Sequence, residues 1–282
     1  MNTHRGAVVV GYDGSADSDL ALSWADQYAH DHRRALHVVI SEVDATQVLE
    51  VTSDWHAARM AQLESDARDR LKSARAPGTG LSISKAPPAP ALIEASKEAA
   101  LLVLGARGHS LVSGIVLGSV SQHVTRHAAC PVVVTRHPNN PDSRRIVVGV
   151  DGSPEGAKAL EFAFEHASHT GGALTVIFAW RSLSRGTHGG LGVPDQTYAD
   201  ESAEAERLLA EAIAGMSERY PDVTVVPEPI PVAPSRALAD ASESAALVVV
   251  GSRGRGAFAG LLLGSVSQSV LNNAGCSVAV VR

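Results

Sequence analysis

Apolar residues occur along this chain in short continuous runs that alternate with longer stretches of helical spacing. The runs are rich in Val, Leu and Ile without polar alternation, which is typical of strands covered on both faces. Between the first two runs, Leu20, Trp24 and Tyr28 recur four residues apart, which predicts an amphipathic helix. Regular strand–helix alternation predicts an open, doubly wound parallel sheet. The predicted strands are Ala7–Gly11, Leu36–Val43, Leu81–Lys85, Leu101–Gly105 and Val132–Thr135 in the first half, and Arg145–Val150, Leu174–Trp180, Val223–Val226, Leu247–Gly251 and Val278–Val281 in the second.

The whole pattern occurs twice. Residues Val8–Ser15 return as Ile146–Ser153, 138 positions later, and Gly105–Gln122 returns as Gly251–Gln268 with 10 of 18 positions identical. Between the halves, residues 138–143 read Pro-Asn-Asn-Pro-Asp-Ser, a short stretch of turn formers. The sequence therefore predicts two tandem α/β domains, 1–137 and 144–282, joined by a linker at 138–143.

Composition limits the class of protein. The chain has 282 residues, 45% of them hydrophobic and 19% charged, with a formal net charge of −6. That negative balance argues against nucleic acid and against a basic membrane-surface role. No segment approaches the roughly 20 apolar residues of a membrane span, and residues 1–6 do not resemble a secretory signal. Cys130 and Cys276 are the only cysteines and are interpreted as small buried residues, so a reducing cytoplasm is expected.

A glycine-spaced loop follows the fourth strand of each half. It has the form G-x2-G-x9-G-S, at Gly105–Ser119 and again at Gly251–Ser265, and a helical pattern follows each serine. Glycine permits positive φ and allows an anion to approach the main chain. Amides at a helix N-terminus favour a phosphate. Ser119 and Ser265 are expected either to cap the helix or to donate a hydroxyl to the anion.

The structural interpretation of this loop is that the glycines only form tight turns. Repetition at one spacing in both halves favours the binding interpretation. The loop is not a Walker A motif because no G-K-[ST] follows. The dinucleotide fingerprint is also excluded, because the first strand ends in Gly-x-Asp-Gly-Ser and not in G-x-G-x-x-G.

An aspartate ends the first strand of each half, at Asp13 and Asp151. Its carboxylate is suited to accept hydrogen bonds from ribose hydroxyls or to hold a metal near phosphates. The alternative is a turn aspartate that caps the first helix. The first and fourth strands flank the switch crevice, where ligands bind in such sheets, and this favours the functional interpretation.

Other candidate groups are weaker. His123 and His127 have metal-ligand spacing on a predicted helix, but the second half has Ser269 and Asn273 there, and we expect no metal site. Trp24, Trp55 and Trp180 are interpreted as packing residues, although Trp180 ends a strand near the expected base.

At these residues the chain resembles the universal stress protein family in its tandem form. The features that carry the resemblance are V-G-x-D-G-S at Val10–Ser15 and V-G-V-D-G-S at Val148–Ser153, the two glycine loops, and the closing Cys130–Val134. The resemblance implies an adenine nucleotide alpha hydrolase-like fold, two five-stranded sheets of order 3-2-1-4-5, and an ATP site in each domain, with Mg²⁺ as a candidate companion. It also implies pairing of domains through the fifth strands and a homodimer.

Site residues follow from the resemblance by position. Asp13 and Asp151 would meet ribose or adenine, Gly11 and Gly149 would line the floor, and the backbone of Ser41 and Ala179 would contact adenine. His109 stands where the second half has the more typical Arg255, so the second site is the more typical of the two. The phosphates would be wrapped by Gly105, Ala106, Arg107, Gly108, His109, Ser110, Leu111, Gly118, Ser119, Val120 and Ser121 in the first half, and by Gly251, Ser252, Arg253, Gly254, Arg255, Gly256, Ala257, Gly264, Ser265, Val266 and Ser267 in the second.

The expected function is that of an ATP-binding regulator in the stress response. The alternative is a slow ATP hydrolase or phosphotransferase, which needs a positioned base and an electrophilic clamp beyond the phosphate loop. Arg107, Arg253 and Arg255 are the candidate clamps. A third interpretation, a scaffold that has lost nucleotide binding, is disfavoured by the intact glycine loops.

Overall fold

The fold is described from a computed structural model, which covers residues 4–42, 53–108, 117–181, 195–256 and 262–282. The chain divides into two units, Met1–Arg136 and His137–Arg282. Within the described ranges, no helix is both long and apolar enough to cross a lipid bilayer.

The first unit is a parallel sheet with helices on its faces. Its strands hydrogen-bond in the order β3-β2-β1-β4-β5, all parallel. The strands are β1 (Val8–Gly11), β2 (Leu36–Ser41), β3 (Thr79–Ser84), β4 (Leu101–Gly105) and β5 (Val132–Thr135), and the helices are α1 (Ala16–Asp31), α2 (Ser53–Lys72), α3 (Pro88–Ser96) and α4 (Ser119–His127).

The second unit repeats this architecture. Its strands hydrogen-bond in the order β8-β7-β6-β9-β10, again all parallel. The strands are β6 (Ile146–Val150), β7 (Leu174–Ala179), β8 (Val225–Ile230), β9 (Leu247–Gly251) and β10 (Ser277–Val281), and the helices are α5 (Pro154–Thr170), α6 (Asp195–Arg219), α7 (Pro234–Ser242) and α8 (Ser265–Asn273). The predicted order 3-2-1-4-5 is therefore confirmed in both units.

The cores consist of the apolar runs. Val8, Val9 and Val10 have no solvent-exposed surface, which means that both faces of β1 are covered. β-Branched side chains fit such a doubly covered sheet. Cys130 and Cys276 are also buried, as the sequence predicts.

The first helix of each unit begins directly after the turn that ends the first strand. Ser15 caps α1 by accepting a hydrogen bond from the Ser18 amide at 3.2 Å, and Ser153 caps α5 by accepting one from the Gly156 amide at 3.0 Å. Pro154 at the first position of α5 and Gly171 after it, with φ of +66°, are typical boundary residues. These caps fix the turns that carry Asp13 and Asp151.

The third strand of the second unit differs from its prediction. The sequence predicts Val223–Val226, whereas the structure has Val225–Ile230, which includes Pro227 and Pro229. Proline cannot donate to a ladder and is confined to edges. The Thr224 carbonyl accepts from the Leu174 amide, and the Ile230 carbonyl accepts from the Trp180 amide, so the even-numbered residues of this strand bond to β7. Because backbone groups of successive residues in a strand point to opposite sides, the two odd-numbered prolines face the open edge. At the other strands the prediction differs only at the ends, and Val43 lies outside the described residues.

Residues of the predicted linker make hydrogen bonds to the second unit. The Asn139 amide donates to the Gly275 carbonyl at 3.0 Å, and the Ser143 hydroxyl donates to the Ser244 carbonyl at 2.7 Å. The boundary at 138–143 stays a prediction.

Candidate functional site

Each unit has a cavity at the carboxyl ends of its strands. Both cavities have a volume of about 430 Å³, within the usual range for small-ligand sites. Each lies where the order of the strands reverses, beside the first and fourth strands. The sequence-predicted residues in their walls are Gly11, Asp13, Ser41, Gly105, Arg107, Gly108, Gly118, Ser119, Val120 and Ser121 in the first unit, and Gly149, Asp151, Ala179, Gly251, Arg253, Gly254, Arg255, Gly256, Gly264, Ser265, Val266 and Ser267 in the second.

Two predicted residues lie beneath the loop rather than in the cavity wall. Ala106 and Ser252 are buried, and their amides donate to the carbonyls of Thr135 and Val281, the last residues of the neighbouring strands. Both amides therefore continue the sheet ladder, and the assignment of these two residues as phosphate contacts stays a prediction. The predicted residues His109, Ser110, Leu111 and Ala257 lie outside the described residues.

The two aspartates hold the turn that opens the first helix. Asp13 Oδ1 accepts from the Ser15 amide at 3.0 Å and from the Ser15 hydroxyl at 2.6 Å. Asp151 Oδ1 accepts from the Ser153 amide at 3.0 Å. The helix caps are the serines, so the aspartates do not cap the helices themselves.

The other carboxylate oxygen faces the glycine loop. Asp151 Oδ2 accepts from the Arg255 amide at 2.9 Å, which attaches the loop after β9 to the end of β6. Asp13 Oδ2 lies 2.6 Å from the position that a Cβ on Gly108 would take, and Gly254 makes the same approach to Asp151. A carboxylate has about four lone-pair positions, so each aspartate retains capacity to accept from a ligand hydroxyl.

The described loop glycines allow neighbouring groups to pack closely against the main chain, and they do not have an unusual backbone conformation. Positive φ occurs at Gly14 and Gly152, in the turns after the aspartates, and at none of the described glycines of the loops. The described loop glycines therefore do not use the positive φ that glycine permits. A Cβ on Gly105 would lie 2.7 Å from the Asp17 carbonyl, so glycine here allows α1 to pack against the end of β4.

A helix N-terminus faces each cavity without a side-chain cap. The caps of α4 and α8 are Gly118 and Gly264, and neither helix has a side-chain capping hydrogen bond. Ser119 and Ser265 occupy the first helical position, so the capping alternative is excluded and the donation of a hydroxyl to an anion stays a prediction. First-turn amides have no intrahelical acceptor, and together with the helix dipole they favour an anion in the cavity.

The serine two residues into each helix fixes the helix against the sheet. The Ser121 hydroxyl donates to the Gly105 carbonyl at 2.7 Å, and the Ser267 hydroxyl donates to the Gly251 carbonyl at 2.6 Å. Since each hydroxyl has one proton, these two side chains position the helix, and their amides remain the groups that a ligand would meet.

The loop arginines pair with the first turn of the neighbouring helix. Arg107 Nε lies 3.6 Å from Asp17 Oδ2, and the Arg107 amide donates to the same oxygen at 2.9 Å. Arg253 lies 3.1 Å from Glu155 Oε1. Arg255 instead lies against Gly152, where its guanidinium occupies the space that a Cβ would need. Positive charge therefore lies beside both loops, and two of its three sources are already paired.

The second strand supplies the wall on the expected base side. The Ser41 hydroxyl donates to the Ala86 carbonyl at 2.7 Å, which attaches the end of β2 to the connection before α3. This contact explains a serine where the second unit has Ala179. Leu92 and Leu238 complete the apolar floor beneath Gly11 and Gly149, where an added Cβ would come within 3.0 Å and 2.8 Å of their methyl groups.

Sequence reasoning missed one wall of the first cavity entirely. One face of α2 lines it with Trp55, His56, Arg59, Met60 and Leu63. Their spacing of i, i+1, i+4, i+5 and i+8 covers one side of a helix, and this periodicity was the available signal. Trp55 is 50% exposed, so the interpretation of this side chain as a packing residue is wrong.

A second feature of the first cavity is the hydrogen-bonded network of Tyr12. Its hydroxyl donates to Asp19 Oδ1 at 3.0 Å, and Arg70 donates to Asp19 Oδ2 at 2.6 Å. Burial, followed by the Asp19 hydrogen bond, raises the pKa of Tyr12. The network joins β1, α1 and α2, and the second unit has Val150 in place of this tyrosine.

The described residues contain no metal-ligand cluster. No group of three or more His, Cys, Asp or Glu side chains within those ranges is arranged to hold an ion. His123 and His127 stack with ring centroids 4.3 Å apart, and His127 Nδ1 lies 2.8 Å from the His123 carbonyl.

The comparisons with known proteins agree with this fold. The sequence profile of the universal stress protein family matches residues 4–136 and 143–282. A universal stress protein of Mycobacterium tuberculosis is 37% identical over 289 residues, covering 98% of this chain and 96% of that protein, and a second from the same organism is 34% identical over 304 residues, covering 98% and 94%. The crystal structure of a universal stress protein from Archaeoglobus fulgidus superposes with a TM-score of 0.70 at 22% identity, covering 99% of this chain and 97% of that one, and supports the fold.

Proposed function

The chain belongs to the universal stress protein family, and we propose that it is an ATP-binding member that acts as a nucleotide-dependent regulator in the stress response. The observation that carries the proposal is a juxtaposition found in both units. A carboxylate at the end of the first strand, a glycine loop and an uncapped helix N-terminus enclose one cavity of about 430 Å³.

Each part of ATP has a matching group in this arrangement. The triphosphate would lie against the first-turn amides of α4 or α8, where the helix dipole favours negative charge. Asp13 or Asp151 would accept from the ribose hydroxyls. Adenine would lie at the end of the second strand, beside Ser41 or Ala179.

Mg²⁺ would be held chiefly by the phosphates and water. Magnesium sites at phosphates use one or two protein carboxylates. In the second unit both oxygens of Asp151 already accept backbone amides, one of them from Arg255 in the loop. A carboxylate used in this way positions the loop and contributes only part of a metal's ligand shell.

Binding without rapid turnover is favoured over catalysis. Phosphoryl transfer requires a positioned base and a cationic clamp at the γ-phosphate. The loop arginines Arg107 and Arg253 pair with Asp17 and Glu155, and such pairing lowers the positive charge available to the transferred γ-phosphoryl group. The alternative, a slow ATP hydrolase or phosphotransferase, requires these pairs to open.

Three measurements test ATP binding and turnover, and a fourth tests the homodimer. Denaturing the purified protein and identifying the released nucleotide should give ATP, and calorimetry on the nucleotide-free chain should detect ATP binding. Absence of both results would overturn the proposal. Turnover at saturating Mg-ATP that stays at the no-protein background supports the binding role, whereas protein-dependent turnover supports the alternative. Light scattering would test the homodimer that belongs to the same proposal.

A further inference from the structure

The wall that α2 contributes to the first cavity carries an aromatic side chain with an unusual environment. Trp55 lines the cavity, yet half of its surface is exposed to solvent. A tryptophan can bury 150–250 Å² of largely apolar surface, so leaving half of it in water forgoes much of that stabilisation. A flat apolar ligand in the cavity would recover it.

The position of Trp55 along the cavity indicates which part of a nucleotide it would meet. The next residue, His56, lies with Nε2 4.0 Å from a carboxylate oxygen of Glu42, the residue that follows the end of β2. Two turns further along α2, Leu63 lies 2.8 Å from the position of a Cβ on Gly14, in the turn after Asp13. Trp55 is therefore at the β2 end of the wall, where adenine is proposed, while Leu63 is at the ribose end.

Arg59 supports the ring in this position. Its guanidinium carbon lies 6.0 Å from the Trp55 ring centroid, at the outer limit of a cation–π contact, and both side chains line the cavity. An arginine one helical turn away lies on the same face of the helix and restricts the rotamers that the indole can adopt.

The second cavity lacks this feature among its described wall residues. Those residues include no aromatic side chain. Trp180, which follows Ala179 at the end of β7, instead donates its Nε1 proton to Glu201 at 3.1 Å. The base side of the second cavity is therefore aliphatic as far as it is described.

We propose that Trp55 is a base-stacking residue that makes the first site select nucleotides over bare polyphosphates, with Arg59 as its positioning residue. This inference rests on the proposed function and goes beyond it, since the phosphate loop alone would accept any polyphosphate. Stacking of a base on an aromatic side chain typically changes affinity by about tenfold.

The test uses Trp55 as its own reporter. In the chain carrying Trp24→Phe and Trp180→Phe, Trp55 is the remaining tryptophan, and its fluorescence should be quenched by ATP but not by inorganic tripolyphosphate. Calorimetry in an Asp151→Ala background isolates the first site. There Trp55→Ala should lower the affinity for ATP about tenfold and leave the affinity for tripolyphosphate unchanged. Trp55→Phe, which keeps an aromatic ring, should retain most of the affinity for ATP.

The outcomes separate the two proposals. ATP that binds the first site without quenching, and with equal affinity in Trp55→Ala, overturns the stacking role and leaves the proposed function intact. Equal losses for ATP and tripolyphosphate in Trp55→Ala also overturn it, because a merely structural residue would have that effect. ATP that binds neither site of the unmodified chain overturns the proposed function itself. Trp24→Phe, on α1 and outside the cavity wall, is the matched control and should leave both affinities unchanged.

Discussion

The two cavities share one main-chain frame and differ in the side chains that surround it. In both units an aspartate lies at the end of the first strand, a glycine meets it from the loop, and a glycine caps the helix. The first unit adds Tyr12 and a wall from α2, whereas the second has Val150 and an arginine, Arg255, against its turn. Under the proposed function, backbone groups would determine where the phosphates bind, while residues outside the repeated motifs would determine what else is recognised.

The aspartates should give the largest effect on ligand binding. Asp151→Ala removes the acceptor for the Arg255 and Ser153 amides, and Asp13→Ala removes the acceptor for Ser15. Hydrogen bonds to charged groups contribute about 1.5–3 kcal/mol each, so ATP affinity at the altered site should fall about 100-fold. Calorimetry of the two single variants and the double variant measures this. Unchanged affinity in the double variant would show that the sites are elsewhere.

Replacing Tyr12 by the residue of the other unit tests the network in the first cavity. Tyr12→Val removes a buried ring and its hydrogen bond to Asp19, and should lower the free energy of unfolding of the first unit by about 2 kcal/mol. Hydrogen exchange during urea unfolding would assign the loss to a unit. A loss spread equally over both units would contradict the assignment.

Glycine substitutions separate close approach from backbone conformation. Gly108→Ala and Gly254→Ala place a methyl group against Asp13 and Asp151, so each should weaken ATP at its own site about tenfold without unfolding the chain. Gly215→Ala is the matched control, because an added Cβ meets nothing within 4 Å on the exposed side of α6. It should leave affinity unchanged and raise stability by about 0.5–1 kcal/mol. An equal loss of affinity in the control would contradict the claim that the methyl groups act through their contacts with Asp13 and Asp151.

Acid should affect the two units differently, and this is the smallest predicted effect. Burial, with the nearby His4, lowers the pKa of His37 on β2 from 6.5 to about 4, while the second unit has Thr175 at this position. The unfolded chain therefore binds a proton below pH 6.5 that the folded unit does not bind until about pH 4. The stability of the first unit should fall across that interval and level off below it.

A His37→Thr variant provides the control for the acid effect. Urea unfolding of the first unit, measured from pH 7 to pH 4, should show a shallower decline in this variant than in the unmodified chain. An identical decline would assign the acid sensitivity to other groups, among them the neighbouring His4 and Glu98.

The frame could be predicted from sequence because its chemistry is local. A glycine-spaced loop between a strand and a helix, and an aspartate at a strand end, lie at the crevice of any doubly wound sheet. The role of each glycine could not be predicted in the same way. A glycine needed for close packing, such as Gly105, and a glycine needed for positive φ, such as Gly14, look identical in a sequence. For a related reason, the two alternatives for Ser119 and Ser265 could not be separated, because a helix cap and a first helical residue differ by one position in the sequence.

The α2 wall was missed because no repeated motif marks it. Trp55 and Arg59 belong to a helix whose counterpart in the second half has a different sequence, so comparing the halves gave no signal there. The edge strand β8 was misplaced because Pro227 and Pro229 suppress a strand prediction, although an open edge accepts proline. Both failures involve tertiary surroundings, which a single sequence does not contain.

The central claim, that each unit holds one ATP through its own frame, is tested most directly by counting ligands. Native mass spectrometry of the full chain, at the lowest ATP concentration that saturates the unmodified protein, should show two nucleotides per chain. Asp13→Ala and Asp151→Ala should each leave one, and the double variant none. Two nucleotides retained in the double variant, or none in the unmodified chain, would contradict the account.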